Sequence, residues 1–253
     1  MSDRDSVARC QTMHNITDNI NQVSTRLQQS AKQFHRSVDA IMLLAVSKGQ
    51  NSQALRLAWQ AGLNSFGENY LQEALEKMTA LNDLDLCWHF IGPIQSNKTQ
   101  DIAQHFSWVH SIERIKIARR LSAQRPAHLP PLNVCIQVNI DREASKSGVD
   151  PEDCLELALA ITELPQLKLR GLMVIPQPRS QLDTQRQPYR QAAELLNNLK
   201  KSSAALTSLD TLSMGMSGDM TAAIAEGATI VRVGTAIFGP RTKTKTLHPN
   251  PTR

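Results

Sequence analysis

Eight short apolar runs alternate with amphipathic segments along this chain, and that alternation limits its fold more than any other feature. The runs cover residues 41–46, 64–66, 86–91, 108–111, 133–138, 168–175, 211–214 and 229–234. Several are rich in β-branched residues, as buried parallel strands are. Helical stripes separate them. Leu55, Ala58 and Trp59 form one that stops at Gly62, Leu71, Ala74, Leu75 and Met78 a second, and Tyr189, Ala192, Ala193, Leu196 and Leu199 a third. Asp150-Pro151-Glu152-Asp153 reads as a helix start, with a capping acid, a proline at the first position and acids in the first turn. One more helix precedes the first strand, marked by Ile16, Ile20, Val23 and Leu27, with Phe34 further on. Alternating β and α predicts a parallel sheet. Eight such units in 253 residues predict an α/β chain closed into a single (β/α)8 TIM-type barrel with an extra N-terminal helix. One domain is expected over residues 1–253, with a core of about 16–240 and a basic tail at 241–253. The absence of a Gly-x-Gly-x-x-Gly or Walker A loop removes the main support for dinucleotide and P-loop readings.

The net charge of +5 invites a nucleic-acid reading, but the charge is in the wrong place. Arg241, Lys243, Lys245 and Arg253 in the tail carry four of the five charges. A nucleic-acid face needs clustered cations and aromatic platforms, and aromatic residues make up only 4% of the chain. Residues 1–17 are polar, with no apolar signal segment, and the longest apolar run, 40–46, is too short to span a bilayer. A cytoplasmic monomer without membrane or nucleic-acid partners is therefore expected. Cys10, Cys87, Cys135 and Cys154 form no Cys-x-x-Cys pair and read as reduced thiols. The histidines lack metal-ligand spacing, and no metal is expected.

Barrels of this kind place function at the carboxyl ends of their strands. The first strand ends on Lys48, which shares parity with Leu44 and Val46. Burial disfavours its ammonium form, and desolvation would lower its pKa toward neutrality and make the amine a nucleophile. The alternative is a lysine that simply reaches solvent. The seventh strand runs into Gly215-Met216-Ser217-Gly218-Asp219, and the eighth into Gly234-Thr235. Small residues at such turns leave backbone N–H groups for a phosphate, a recurrent feature after strands seven and eight. Asp219 competes for that position unless it caps the next helix and points away. Arg232 alternates with Val231 and Val233, so it faces the barrel interior if the valines face helices. It then either pairs with an inward acid or meets a ligand. A reactive lysine, a phosphate cradle and an inward arginine match pyridoxal 5′-phosphate, which needs an amine, phosphate donors and a partner for its ring nitrogen.

The segments Val46-Ser47-Lys48, Phe66-Gly67-Glu68-Asn69-Tyr70, Trp88-His89-Phe90-Ile91-Gly92-Pro93-Ile94-Gln95-Ser96-Asn97-Lys98, Ser145-Lys146-Ser147-Gly148, Arg170-Gly171-Leu172-Met173, Ser213-Met214-Gly215-Met216-Ser217 and Val231-Arg232-Val233-Gly234-Thr235 extend that match. Together they resemble the pyridoxal phosphate homeostasis proteins, whose barrel is similar to the N-terminal domain of alanine racemase. The resemblance runs from about residue 16 to 240. It implies a Schiff base on Lys48, phosphate contacts from Ser217, Gly234 and Thr235, Arg232 at the pyridine nitrogen, and Asn69 near the cofactor. It also implies a carrier that buffers pyridoxal phosphate and delivers it to apoenzymes, with no catalytic residues of its own. Gly49-Gln50-Asn51 departs from relatives, which usually have Thr after the lysine and Pro soon after. Gly218 stands where many carry a larger residue. His89 reads either as a core histidine or as a cofactor contact, and Lys98 and Lys146 have no assigned role.

Two other readings compete. An amino-acid racemase would need an electron-withdrawing pyridine and a base on each face of the cofactor. Arg232 works against the first, and the 19 residues after Gly234 leave no room for a second domain with the opposite base. A lysine-dependent aldolase would explain Lys48 and the phosphate turns but leave Arg232 without a role.

Overall fold

A computed structural model describes residues 3–143 and 146–240, with 3–14 described as backbone helix only. Ser145, the side chain of Cys10 and the basic tail at 241–253 lie outside the described residues. Eight parallel strands close into a barrel in sequence order. They are β1 (Met42–Val46), β2 (Ser65–Glu68), β3 (Cys87–Phe90), β4 (Trp108–Ile112), β5 (Leu132–Val138), β6 (Leu167–Val174), β7 (Thr211–Ser213) and β8 (Ile230–Val233). Pairing of β1 with both β2 and β8 completes the ring, with Ala45 opposite Phe66 and Leu44 opposite Arg232. The helices are α1 (Asp3–Gln33), α2 (Ser52–Gln60), α3 (Leu71–Ala80), α4 (Thr99–His105), α5 (Ile115–Gln124), α6 (Cys154–Thr162), α7 (Leu182–Ser202), α8 (Met220–Ala225) and α9 (Thr235–Phe238).

Alternation along the strands divides the apolar residues into two cores. Leu44, Trp108, Cys135, Met173 and Ile230 fill the barrel, while the larger cluster lies between strands and helices. Ile16, Ile20, Val23 and Leu27 of α1 join the outer core, each fully buried apolar side chain contributing about 1.5–3 kcal/mol. Polar residues of the same helix fasten it to the last two barrel helices. Asn19 donates to the Ile237 carbonyl at 2.9 Å and Ser30 meets Thr221 at 3.0 Å, while Arg36, just beyond the end of α1, donates to the Ala228 carbonyl after α8 at 2.5 Å.

Three local expectations need correction. Trp59 does not belong to the buried stripe of α2 and is 39% exposed, whereas Leu55 and Ala58 are fully buried. Asp150 makes no side-chain cap, because Pro151–Asp153 first forms a single 3-10 turn ahead of α6. The second strand extends past Phe66 to Glu68, so a carboxylate occupies a fully buried strand end. Hydrogen bonds from Ser47 and Lys77 make that placement possible, and neither is visible as a partner in the linear sequence.

Candidate functional site

At the carboxyl ends of the strands lies a cavity of about 320 Å³, within the size range of small-molecule sites. Lys48, Asn69, Ser217, Arg232, Gly234 and Thr235 all line it, with apolar walls that include Val46, Ile91 and Ile175. All six residues singled out from the sequence thus meet in one place.

Lys48 leaves the end of β1 and is half-buried rather than enclosed. The chain reverses directly after it, where Gly49 takes a left-handed φ of 74°. Asn69 follows β2, and its Oδ1 is buried with no hydrogen-bond partner among the described residues. An unsatisfied acceptor of that kind is costly unless a ligand or water completes it. Gly234 brings β8 against β1, since a Cβ there would lie 3.0 Å from the Val46 carbonyl oxygen.

The turn after β7 settles the role of Asp219. Its Oδ1 accepts the Met216 amide at 2.6 Å, and it makes no side-chain cap for α8. The carboxylate is therefore used inside its own turn instead of capping the helix. The Ser217, Gly218 and Thr235 amides donate no hydrogen bond to any described residue. Arg26 of α1 braces the same turn by donating to the Ser217 carbonyl at 2.6 Å. A Cβ on Gly218 would meet nothing within 4 Å, so the backbone there does not require glycine.

Arg232 is buried in the barrel interior, at the cavity floor. Its guanidinium donates to the Ser213 carbonyl at 2.6 Å, to Ser213 Oγ at 2.9 Å and to the Val174 carbonyl at 2.9 Å. No acid pairs with it among the described residues, so the salt-bridge alternative is not what the fold builds. Burial pulls its pKa down from the ordinary guanidinium value.

Beneath Arg232, polar groups form a line across the barrel. Ser213 Oγ lies 2.7 Å from His110 Nδ1, and His110 Nε2 lies 2.9 Å from His89 Nδ1. Arg232 can only donate, so Ser213 Oγ accepts from it and has its own proton free for His110. His89 is fully buried and does not line the cavity, which makes it a core histidine. Lys98 is exposed and lies away from the cavity. Lys146 sits 2.5 Å from Glu143 and donates to the carbonyl of Ile175 on the rim at 3.3 Å. Burial raises the pKa of the Cys135 and Cys154 thiols to about 12, which suits inert packing groups.

Burial lowers the pKa of His89 to about 3, and that of His110 well below its usual value, with His89 and Arg232 adding to the effect. Both imidazoles are thus neutral in the folded state, yet they take up protons when unfolded below about pH 6.5. Stability should therefore fall with pH in that window, toward about 1.4 kcal/mol per pH unit for each histidine. Between pH 7 and 5 the two together should cost about 4 kcal/mol. Glu68, whose pKa is raised by burial, opposes this at the acid end. Urea unfolding at a series of pH values measures the slope, and a flat profile would show that the histidines protonate in the folded protein.

Ser213, His110, Arg26 and the Glu68–Lys77 pair belong to the site's surroundings but were not singled out from the sequence. Lys77 had a signal, since it follows Ala74 by three residues on the inner stripe of α3. Arg26 and His110 had none, because their partners lie 191 and 103 residues away.

A closed parallel barrel thus brings a lysine after β1, bare amides after β7 and β8, and an arginine on its floor to one cavity. The model of the alanine racemase N-terminal domain matches residues 13–242. The pyridoxal phosphate homeostasis protein of Pseudomonas aeruginosa is 56% identical over 229 residues, covering 90% of this chain and 97% of that protein. The chain belongs to the pyridoxal phosphate homeostasis protein family. Among solved structures, PipY of Synechococcus elongatus with PLP bound is 34% identical, with a TM-score of 0.78. The match covers 88% of this chain and all of PipY. Alanine racemase from Corynebacterium glutamicum shares the fold at 15% identity and a TM-score of 0.64, covering 90% of this chain and 61% of the racemase.

Proposed function

We propose that this chain is a cytoplasmic, single-domain carrier of pyridoxal 5′-phosphate that holds the cofactor on Lys48 and releases it to apoenzymes. The observation that carries the reading is the convergence of Lys48, Asn69, Ser217, Arg232, Gly234 and Thr235 on one cavity. The unpaired Asn69 oxygen and the bare amides of Ser217, Gly218 and Thr235 fit a ligand with a phosphate and a polar ring. Pyridoxal phosphate supplies an aldehyde. Lys48 would hold the cofactor reversibly through its amine, with one water released as the bond forms and consumed as it breaks. Arg232 would serve as donor to the ring nitrogen, and the turns after β7 and β8 would hold the phosphate. The homeostasis names carried by the relatives and the PLP-bound PipY support this reading. Absorbance before and after borohydride reduction, followed by peptide mapping, tests it. A reduced adduct on a lysine other than Lys48 would refute the attachment site.

The phosphate half of the site has its own test. Losing one neutral donor to a charged group costs about 1.5–3 kcal/mol, roughly ten- to a hundredfold in affinity. Thr235→Val should weaken pyridoxal phosphate by that factor and leave unphosphorylated pyridoxal nearly unchanged. Equal losses in titrations of the two ligands would place the phosphate elsewhere.

A further inference from the structure

Glu68 ends β2 with its side chain on the opposite face from Gly67 and Asn69. A Cβ on Gly67 would touch Leu44 and Ile91 inside the barrel, so Glu68 faces outward, toward α3. There it meets Lys77, a lysine only 4% exposed. The three donors of the Lys77 ammonium reach three acceptors: Glu68 Oε1 at 2.7 Å, Glu73 Oε1 at 2.5 Å and the Ser47 carbonyl at 2.7 Å. Ser47 Oγ donates to Glu68 Oε1 at 2.6 Å, and the Gly49 amide donates to Glu73 Oε1 at 2.6 Å. The peptide groups just before and just after Lys48 are thus both held from behind the strand.

Stability alone does not account for this cluster. Desolvation offsets much of the attraction in a buried ion pair, and apolar residues of similar volume often pack at no loss. Glu68 Oε2 is also buried without a partner among the described residues, an added cost. An apolar replacement would not hold the Ser47 carbonyl or the Gly49 amide. That hold matters here because Gly49, with φ at 74°, is the most pliable residue type and stands next to the lysine.

We propose that Glu68, Glu73 and Lys77 form a positioning clamp that fixes the backbone on both sides of Lys48 and so aims its amine at an incoming aldehyde. The proposal rests on the reading of Lys48 as the attachment residue. The clamp touches neither cofactor nor reacting atoms, and its effect should lie in the covalent step rather than in docking. A misplacement of about 1 Å at a reacting atom can cost about a hundredfold in rate.

Two ligands separate the steps. Pyridoxine 5′-phosphate has an alcohol in place of the aldehyde and reports docking alone, while the absorbance change with pyridoxal 5′-phosphate reports covalent uptake. Glu73→Ala should slow covalent uptake by about ten- to a hundredfold and leave pyridoxine 5′-phosphate affinity unchanged. Glu73→Gln, which keeps an acceptor for the Gly49 amide, should recover most of the rate. Glu73 is partly exposed, so its variants should fold, as thermal unfolding will report. Glu68→Gln combined with Lys77→Met removes the buried charges together and should slow uptake in the same way. Normal uptake in Glu73→Ala overturns the clamp, and so does equal loss of both ligands, which would mean general damage to the cavity. Mapping the reduced adduct in the unmodified protein keeps the two ideas apart. An adduct away from Lys48 defeats the attachment reading, whereas an adduct on Lys48 with normal uptake in Glu73→Ala defeats the clamp alone.

Discussion

Lys48→Ala should abolish the visible Schiff-base absorbance and any borohydride-stable adduct while leaving a folded barrel. No other lysine among the described residues lines the cavity. Lys98 is exposed and outside the lining, and Lys146 pairs with Glu143 and reaches the carbonyl of Ile175 on the rim. The fold should tolerate the change because Lys48 is half-buried and follows β1 rather than packing within it. Substitutions that leave the core intact usually shift stability by about 0.5 kcal/mol or less. The variant keeps Arg232, Asn69 and the turns after β7 and β8, so it should still bind pyridoxal phosphate weakly and reversibly. Spectra, reduction with peptide mapping and a thermal melt give the three readings together. A full Schiff-base spectrum in Lys48→Ala would move the attachment site to another lysine.

The barrel was legible because buried parallel strands are continuous apolar runs, and eight of them recur at the spacing that β/α units require. Five of the six predicted residues that line the cavity were legible for a related reason, since Lys48, Arg232 and the glycine-serine turns after β7 and β8 are out of place at strand ends, whereas Asn69 came only from the resemblance to a family. The clamp was not, although Glu68 and Lys77 are equally out of place. Each is explained only by the other, and their pairing depends on how α3 lies across β1 and β2. The same limit hid the line from Arg232 through Ser213 to His110 and His89, whose members come from four strands. Short-range periodicity shows which face a residue takes. It does not show which residue of another strand sits opposite, and that is where buried polar groups find their partners. Asp219 failed differently, since a first-turn acid has two local acceptor roles and it took the one within its own turn.

Loaded with pyridoxal phosphate, the unmodified protein should exchange no α-proton of free amino acids with solvent deuterium above a Lys48→Ala control, yet it should pass cofactor to an apoenzyme on mixing. The relatives carry homeostasis names rather than enzyme names, and the absence of catalysis is proposed here from the chemistry of the cavity floor. Carbanion chemistry draws on a protonated pyridine, and Arg232 is a permanent donor that opposes protonation of the ring nitrogen. Replacing it with an acid looks like the direct test of that electronic argument, but the surroundings of the guanidinium predict a structural failure first. Arg232 donates to the carbonyls of Ser213 and Val174, and a carboxylate would turn those contacts repulsive in a buried place. An uncompensated buried charge of this kind costs about 3–5 kcal/mol. Arg232→Glu should therefore lower the melting temperature by about 6–20 °C. Arg232→Gln keeps an amide donor for one of the two carbonyls without adding a charge, so it is the variant in which exchange can be read on a folded protein. It too should show none, because a neutral amide does not protonate the ring. A Glu variant as stable as the unmodified protein would mean that the guanidinium contacts contribute little. Robust Lys48-dependent exchange by the unmodified protein would replace the carrier reading with an enzyme.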